Sequence, residues 1–242
     1  MPHAGFVHLR LFSAYSMLEG AIQPEDLAKA SRRGLFPAAG LADRGNMFAA
    51  MDFSAAAKDA GVQPIIGAMV AVERPGSRTA TTRPIHDWLV LFAQGSVGYG
   101  NLIALVSAAH LGVEPPEDPH LTLADFDGRT AGLLCLTAGA DGALARLLAD
   151  GQAVDGYVDA LTVLFPERLY IEISRCNDPV ELRSEAGLLA LAATRDLPIV
   201  ATNPVKFLQP NVHLAHDALL CIADSAYVEA EERRKSNPEH RL

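Results

Sequence analysis

The sequence predicts an α/β fold. Short apolar runs, about seven of them, alternate with helix-period segments, and half of the 242 residues are hydrophobic, enough for a substantial core. Alternation of this kind favours parallel pairing, because parallel neighbours need a crossover connection where antiparallel ones need only a turn. The length suits one large α/β unit or two small ones.

The elements follow in order. Phe6–Leu11 (FVHLRL) reads as the first strand. QPEDLAKASRRG reads as a helix, with Pro24 at its first position, Glu25 and Asp26 in the first turn, and Arg32, Arg33 and Gly34 at the end. Pro37–Ala42 is a short strand, Asn46–Gly61 a helix closed by Gly61, and Pro64–Val72 a buried strand. A polar loop, ERPGSRTATTRPIHD, precedes the strand Trp88–Ala93 and the helix VGYGNLIALVSAAHLG. After the proline-rich Val113–His120 come the strand Gly132–Thr137 and two short helices, Asp141–Ala149 and Ala153–Phe165. Strand Leu169–Ser174, helix VELRSEAGLLALAATRD, strand Leu197–Thr202 and helix Val212–Ala223 complete the pattern. The remainder, residues 224–242, is charged and polar. It reads as a connecting segment toward a larger body, so residues 1–223 are expected to form the domain.

Charge and cysteine content exclude several classes. The net charge of −9 and a pI near 5.3 argue against a free-standing nucleic-acid binder. Cys135, Cys176 and Cys221 are odd in number and lack CxxC spacing, which suits a reducing cytoplasm better than a disulfide scaffold. The opening MPHAGFVHLR has no apolar signal core, and no apolar run is long enough to span a membrane.

Ligands of parallel α/β folds gather at the C-terminal ends of strands. The residues there are Arg10, Phe12, Ser13 and Glu19, then Asp43 and Arg44, then Cys176, and finally Asn203, Pro204 and Lys206. Arginine and lysine have no lone pair to give a metal, and their charge repels one. Glu19 and Asp43 are therefore expected to pair with Arg10, Arg44 or Lys206. Cys176, at a strand end, is expected to be exposed, and Cys135 and Cys221 to be core thiols. His8, His213 and His216 read as structural.

FVHLRLFSAYSMLEGAI, LADRGNMFAAMDF, PIIGAMVAV, GYGNL and IVATNPVKFL…AHDALLCI occur in this order. Together they resemble the N-terminal PHP (polymerase and histidinol phosphatase) domain of bacterial replicative DNA polymerase III alpha subunits. The resemblance runs from about Phe6 to Ile222. It implies a distorted seven-stranded (β/α) barrel, strands mostly parallel, with outer helices. It also implies a metal cluster in members with an intact site, some of which act as 3′–5′ exonucleases.

Carried over by position, that cluster is lost here. The paired histidines fall on Arg10 and Phe12, and the neighbouring aspartate on Glu19. Asp43 is kept, but the next histidine falls on Arg44. A glutamate falls on Met69, a histidine on Trp88, a cysteine on Gly139, and the closing aspartate and histidine on Pro204 and Lys206. Phe12, Met69 and Trp88 are expected to fill volume that metal and water would otherwise take. The resemblance thus implies a domain with no catalytic residue, no metal and no cofactor of its own. Magnesium is expected in a polymerase palm beyond residue 242. Implied partners are the remainder of the alpha subunit and the proofreading exonuclease subunit, with no strong direct nucleic-acid binding and no membrane. The alternative is an active metal-dependent phosphoesterase or 3′–5′ exonuclease with a rearranged site.

Overall fold

A computed structural model describes residues 3–79 and 82–242. Among these, six strands and seven α-helices follow the order α1 (Pro24–Arg33), β1 (Ala38–Arg44), α2 (Ala50–Ala60), β2 (Gln63–Glu73), β3 (His86–Ala93), α3 (Ser96–Leu111), β4 (Leu133–Leu136), α4 (Ala143–Ala149), α5 (Asp155–Leu164), β5 (Leu169–Ile173), α6 (Pro179–Arg195), β6 (Ile199–Ala201) and α7 (His213–Ala223). The strands form one mixed sheet in the order β1-β2-β3-β4-β5-β6. The chain divides into two compact units. One comprises the residues up to Ile66 together with Asn203–Leu242, and the other is Gly67–Thr202.

Two expectations are corrected. The described strands number six, and their directions are mixed: β2–β3 and β3–β4 are antiparallel, while β4–β5 and β5–β6 are parallel. The reason lies in the connections. Between β2 and β3 runs a loop with no helix among its described residues, so the pair is built like a hairpin. Positions 80–81 of that predicted loop lie outside the described residues. Helix α3 does follow β3, but the chain then returns. Gln94 N–H donates to Gly132 O at 2.8 Å, which sets the start of β4 beside the end of β3. A helix between two strands therefore did not make them parallel.

The missing seventh strand is Phe6–Leu11. It forms no regular ladder among the described residues: Leu11 bridges Leu41 and Val205, both in parallel sense, and His8 O and Arg10 O accept from Gly40 and Val205 N–H. Gly40 explains part of the irregularity. A Cβ there would lie 2.5 Å from Leu9 O, so the two segments approach more closely than a regular ladder permits.

Within the first unit, α1 and α2 pack over a core that includes Leu11, Ile22, Leu27, Leu41, Phe53, Val62 and Val205. Helix α1 starts at Pro24 and carries its acidic and basic residues at the ends that suit the helix dipole. Helix α2 begins later than the sequence pattern suggests. Asn46 is an anchor rather than a helical residue: its amide donates to Tyr15 O and Arg44 O, and its Oδ1 accepts from Phe48 N–H.

In the second unit, β2 and β3 place Met69 opposite Val90 and Ala71 opposite Trp88. Helix α6 opens with a capping box, in which Asp178 accepts from Val180 N–H and Glu181 reaches back to the start. Glu181 also accepts from Cys176 N–H at 2.8 Å and from the Ser174 hydroxyl. These bonds fold Cys176 beneath the helix start, so it is buried rather than exposed. Cys135 and Cys221 are buried as expected.

Candidate functional site

The first unit brings together Arg10, Phe12, Glu19, Asp43, Arg44 and Lys206. The turn from Phe12 to Gly20 is wound tightly. Gly20 N–H donates to Ser16 O, and a Cβ on Gly20 would lie 2.0 Å from Ser13 O. That closure holds two hydroxyls over the end of β1. Asp43 Oδ1 accepts from Ser13 N–H at 2.7 Å and from Ser16 Oγ at 2.6 Å, while Oδ2 accepts from Ser13 Oγ at 2.6 Å. Burial pushes the Asp43 carboxyl above its ordinary range, and the hydrogen bonds from Ser13 and Ser16 oppose that push.

Glu19 is held differently. Its Oε2 lies 2.9 Å from Arg44 Nε and 3.5 Å from Lys206 Nζ, and its Oε1 lies 3.3 Å from Arg234 Nη1. Phe12 is fully buried beneath the cations. Arg10 Cζ, Arg44 Cζ and Lys206 Nζ stand 5.5, 6.0 and 5.6 Å from its ring centroid, within cation–π range. Arg10 is only 1% exposed. Pro204, also buried, precedes Val205, whose bonds to Arg10 O and from Phe12 N–H fix the Lys206 segment beside the turn.

The C-terminal residues contribute to the same unit. Arg233 chelates Asp217 through two bonds of 2.9 and 2.7 Å, and Ser236 N–H donates to Asp217 Oδ1. Together these hold the Asp217 carboxyl down at about 2. His216 Nε2 lies 2.7 Å from Glu19 O, a pure acceptor, so Nε2 carries the proton and Nδ1 accepts from Ser236 Oγ at 2.6 Å. Burial keeps this imidazole below its ordinary range. His216 thus buttresses the backbone of Glu19. The sequence singled out neither Arg234 nor Ser236, because a partner 215 positions away leaves no local periodicity to read.

Three predicted positions lie in the second unit. Met69 is buried on β2, and Trp88 is half-buried on the same sheet face, two residues along β3 from Val90, which lies opposite Met69. Gly139 begins a short 3-10 turn at φ +51°.

This donor set does not fit a divalent metal. Arg10, Arg44 and Lys206 offer no lone pair, Glu19 is neutralised by cations, and Asp43 already accepts three hydrogen bonds. Among the described residues no three His, Cys, Asp or Glu side chains are grouped to hold a metal ion. Nor, among them, is any helix long and apolar enough to cross a membrane.

Comparison with known proteins adds ancestry. The PHP domain family matches residues 8–176. The DNA polymerase III subunit alpha of Caulobacter vibrioides is 42% identical over 98% of this chain, and that of Rickettsia prowazekii is 31% identical over 95%. The chain spans only 21% and 19% of those two proteins. Among solved structures, a Bifidobacterium adolescentis protein provisionally described as a metal-dependent phosphoesterase superposes with a TM-score of 0.55. It is 13% identical, with 84% of this chain and 88% of that one covered. A Chromobacterium violaceum amidohydrolase gives the same TM-score and identity, covering 83% and 87%. At that identity the likeness speaks for the fold alone.

Proposed function

The chain belongs to the PHP domain family, and on that premise we propose that it is the N-terminal PHP domain of a DNA polymerase III alpha subunit, retained for its surfaces rather than for catalysis. The observation that carries the reading is Glu19, bound to Arg44, Lys206 and Arg234 where a metal-dependent relative would need ligands. Side-chain cations supply the positive charge a carboxylate requires, so the turn is stable without metal. Magnesium-dependent nucleotidyl transfer belongs to a palm outside these residues. In this reading, residues 1–223 are the domain, and 224–242 pack back on its first unit before leading on toward the polymerase body. The domain packs on that body in the cytoplasm, helps to hold the proofreading exonuclease subunit and makes no strong contact of its own with nucleic acid. Apolar side chains left exposed on and after α7, including Leu214, Ile222 and Tyr227, support a packing role.

The test is elemental analysis of the purified chain combined with turnover of p-nitrophenyl phosphate and of a DNA 3′ end. The expected result is substoichiometric zinc, manganese and iron, and no metal-dependent turnover. Stoichiometric metal with metal-dependent hydrolysis overturns the proposal in favour of a phosphoesterase or 3′–5′ exonuclease.

A further inference from the structure

The second unit carries a cavity to which the reading above assigns no role. Its volume is about 630 Å³, within the range of small-molecule sites. One wall is Ala153, Gly156, Tyr157 and Ala160, whose spacing is that of a single helix face running into α5. The facing wall includes Arg74, Pro75 and Leu123.

Two polar groups in this lining stand out. Tyr157 is 8% exposed, yet its hydroxyl makes no hydrogen bond to any described residue. That hydroxyl is not sealed from solvent, so an acceptor entering from outside can reach it. Arg74 gives Nε and Nη2 to Asp87 at 2.7 and 2.9 Å, which leaves Nη1 uncommitted. Asp87 is also shared with Arg146 at 3.1 Å, so two guanidiniums face one carboxylate and the trio carries net positive charge. Asp150 attracts Arg74 only through space. Among the described residues no acidic side chain lines the cavity, although acidic residues outnumber basic ones 29 to 20 in the chain. The walls are otherwise mainly apolar.

We propose that this cavity binds a small molecule with an apolar body and one carboxylate, the carboxylate accepting from the Tyr157 hydroxyl and from Arg74 Nη1. Shape and wall chemistry select the body, while the phenol and guanidinium select the acidic end.

The experiment uses the 242-residue chain, 1-naphthoate as probe and amide chemical shifts as readout. Saturable shifts are expected at Gly76, Gln152, Gly156 and Tyr157, with 1-methylnaphthalene, which lacks the carboxylate, binding about tenfold or more weakly. Tyr157→Phe keeps the ring and removes only a hydroxyl that has no protein partner, so it should fold normally and lose about tenfold in affinity for the acid. Ala160→Phe, which puts a phenyl ring into the cavity, should weaken binding and shrink the shifts at a given probe concentration. The proposal is overturned by an absence of saturable shifts at these amides, by equal binding of the two probes, or by a Tyr157→Phe protein that binds 1-naphthoate like the parent.

Discussion

Asp87 and Glu19 each gather cationic side chains, and they do so on opposite terms. Asp87 sits on a central strand with its side chain 1% exposed, gripped by Arg74 through two bonds and by Arg146 from α4. All three come from residues 74–146. The Glu19 side chain is 16% exposed, and its cations arrive from the end of β1, from the segment before α7 and from the C-terminal residues. A carboxylate buried this deeply is costly to remove, because its guanidinium partners lose their counter-ion, even with the Arg146 side chain itself 38% exposed. A partly wet cluster is cheaper to disturb, since water and salt take up the slack. The first arrangement reads as architecture. The second gathers its charges from segments far apart in the chain.

That contrast can be broken in a definite order. Asp87→Ala should be the most damaging change, costing about 3–5 kcal/mol in urea unfolding because two arginines lose their buried counter-ion. A loss smaller than that for any Glu19 variant would reverse the comparison. Asp43→Ala should follow, at about 2–4 kcal/mol, since Ser13 and Ser16 would be left with buried donors facing nothing. Glu19→Gln should cost about 1–2 kcal/mol, with the loss growing at low ionic strength as Arg44 and Lys206 repel more strongly. A double-mutant cycle with Arg234→Ala sharpens the point. Its coupling energy should be about 0.5–1 kcal/mol, and a value near zero would remove the C-terminal residues from the cluster.

An effect comparable to that of Glu19→Gln concerns pH. Asp217 has its folded pKa lowered from 3.8 to about 2 by Arg233 and Ser236. The folded state therefore binds its proton less readily than the unfolded state does. The stabilisation is complete above about pH 4 and is lost as pH falls toward about 2. Its size should be roughly 1–2 kcal/mol, and Arg233→Ala should flatten this acid limb. Asp43, whose pKa is raised by burial, acts in the other sense. The fold favours its protonated form, so Asp43 gains stability as pH falls through its folded pKa. Equilibrium unfolding of parent and Arg233→Ala from pH 7 to 2.5 separates the two. An unchanged limb in the variant would exclude Asp217 as its source.

Much of the architecture was legible beforehand because its signals are local. Pro24 with its acidic first turn, Gly61 after α2, and the apolar runs of β2, β3 and β5 each state an element within a dozen residues. The poor ligand chemistry of Arg10, Phe12, Arg44 and Lys206 was legible too, since a cation or a phenyl ring has no lone pair to give whatever the fold around it. Strand direction was not. A helix between β3 and β4 suggested a parallel crossover, but whether the chain returns to the near or far end depends on where residues 112–132 go, and no short pattern encodes that. Cys176 was misread for a similar reason: the Glu181 cap that buries it is set by the fold around α6 and not by the strand end.

By itself, then, the sequence determined the α/β class, the positions of most elements and the chemical unsuitability of Arg10, Phe12, Arg44 and Lys206 as ligands. The tertiary structure alone decided that Glu19 would answer to Arg44, Lys206 and Arg234, that Asp43 would answer to two serines, and that His216 and Ser236 would buttress the turn. The physical reason is separation. Propensity and periodicity act over a few neighbouring residues, whereas a salt bridge between residues 19 and 234 exists only once the intervening chain has folded and brought two charges within a few ångströms.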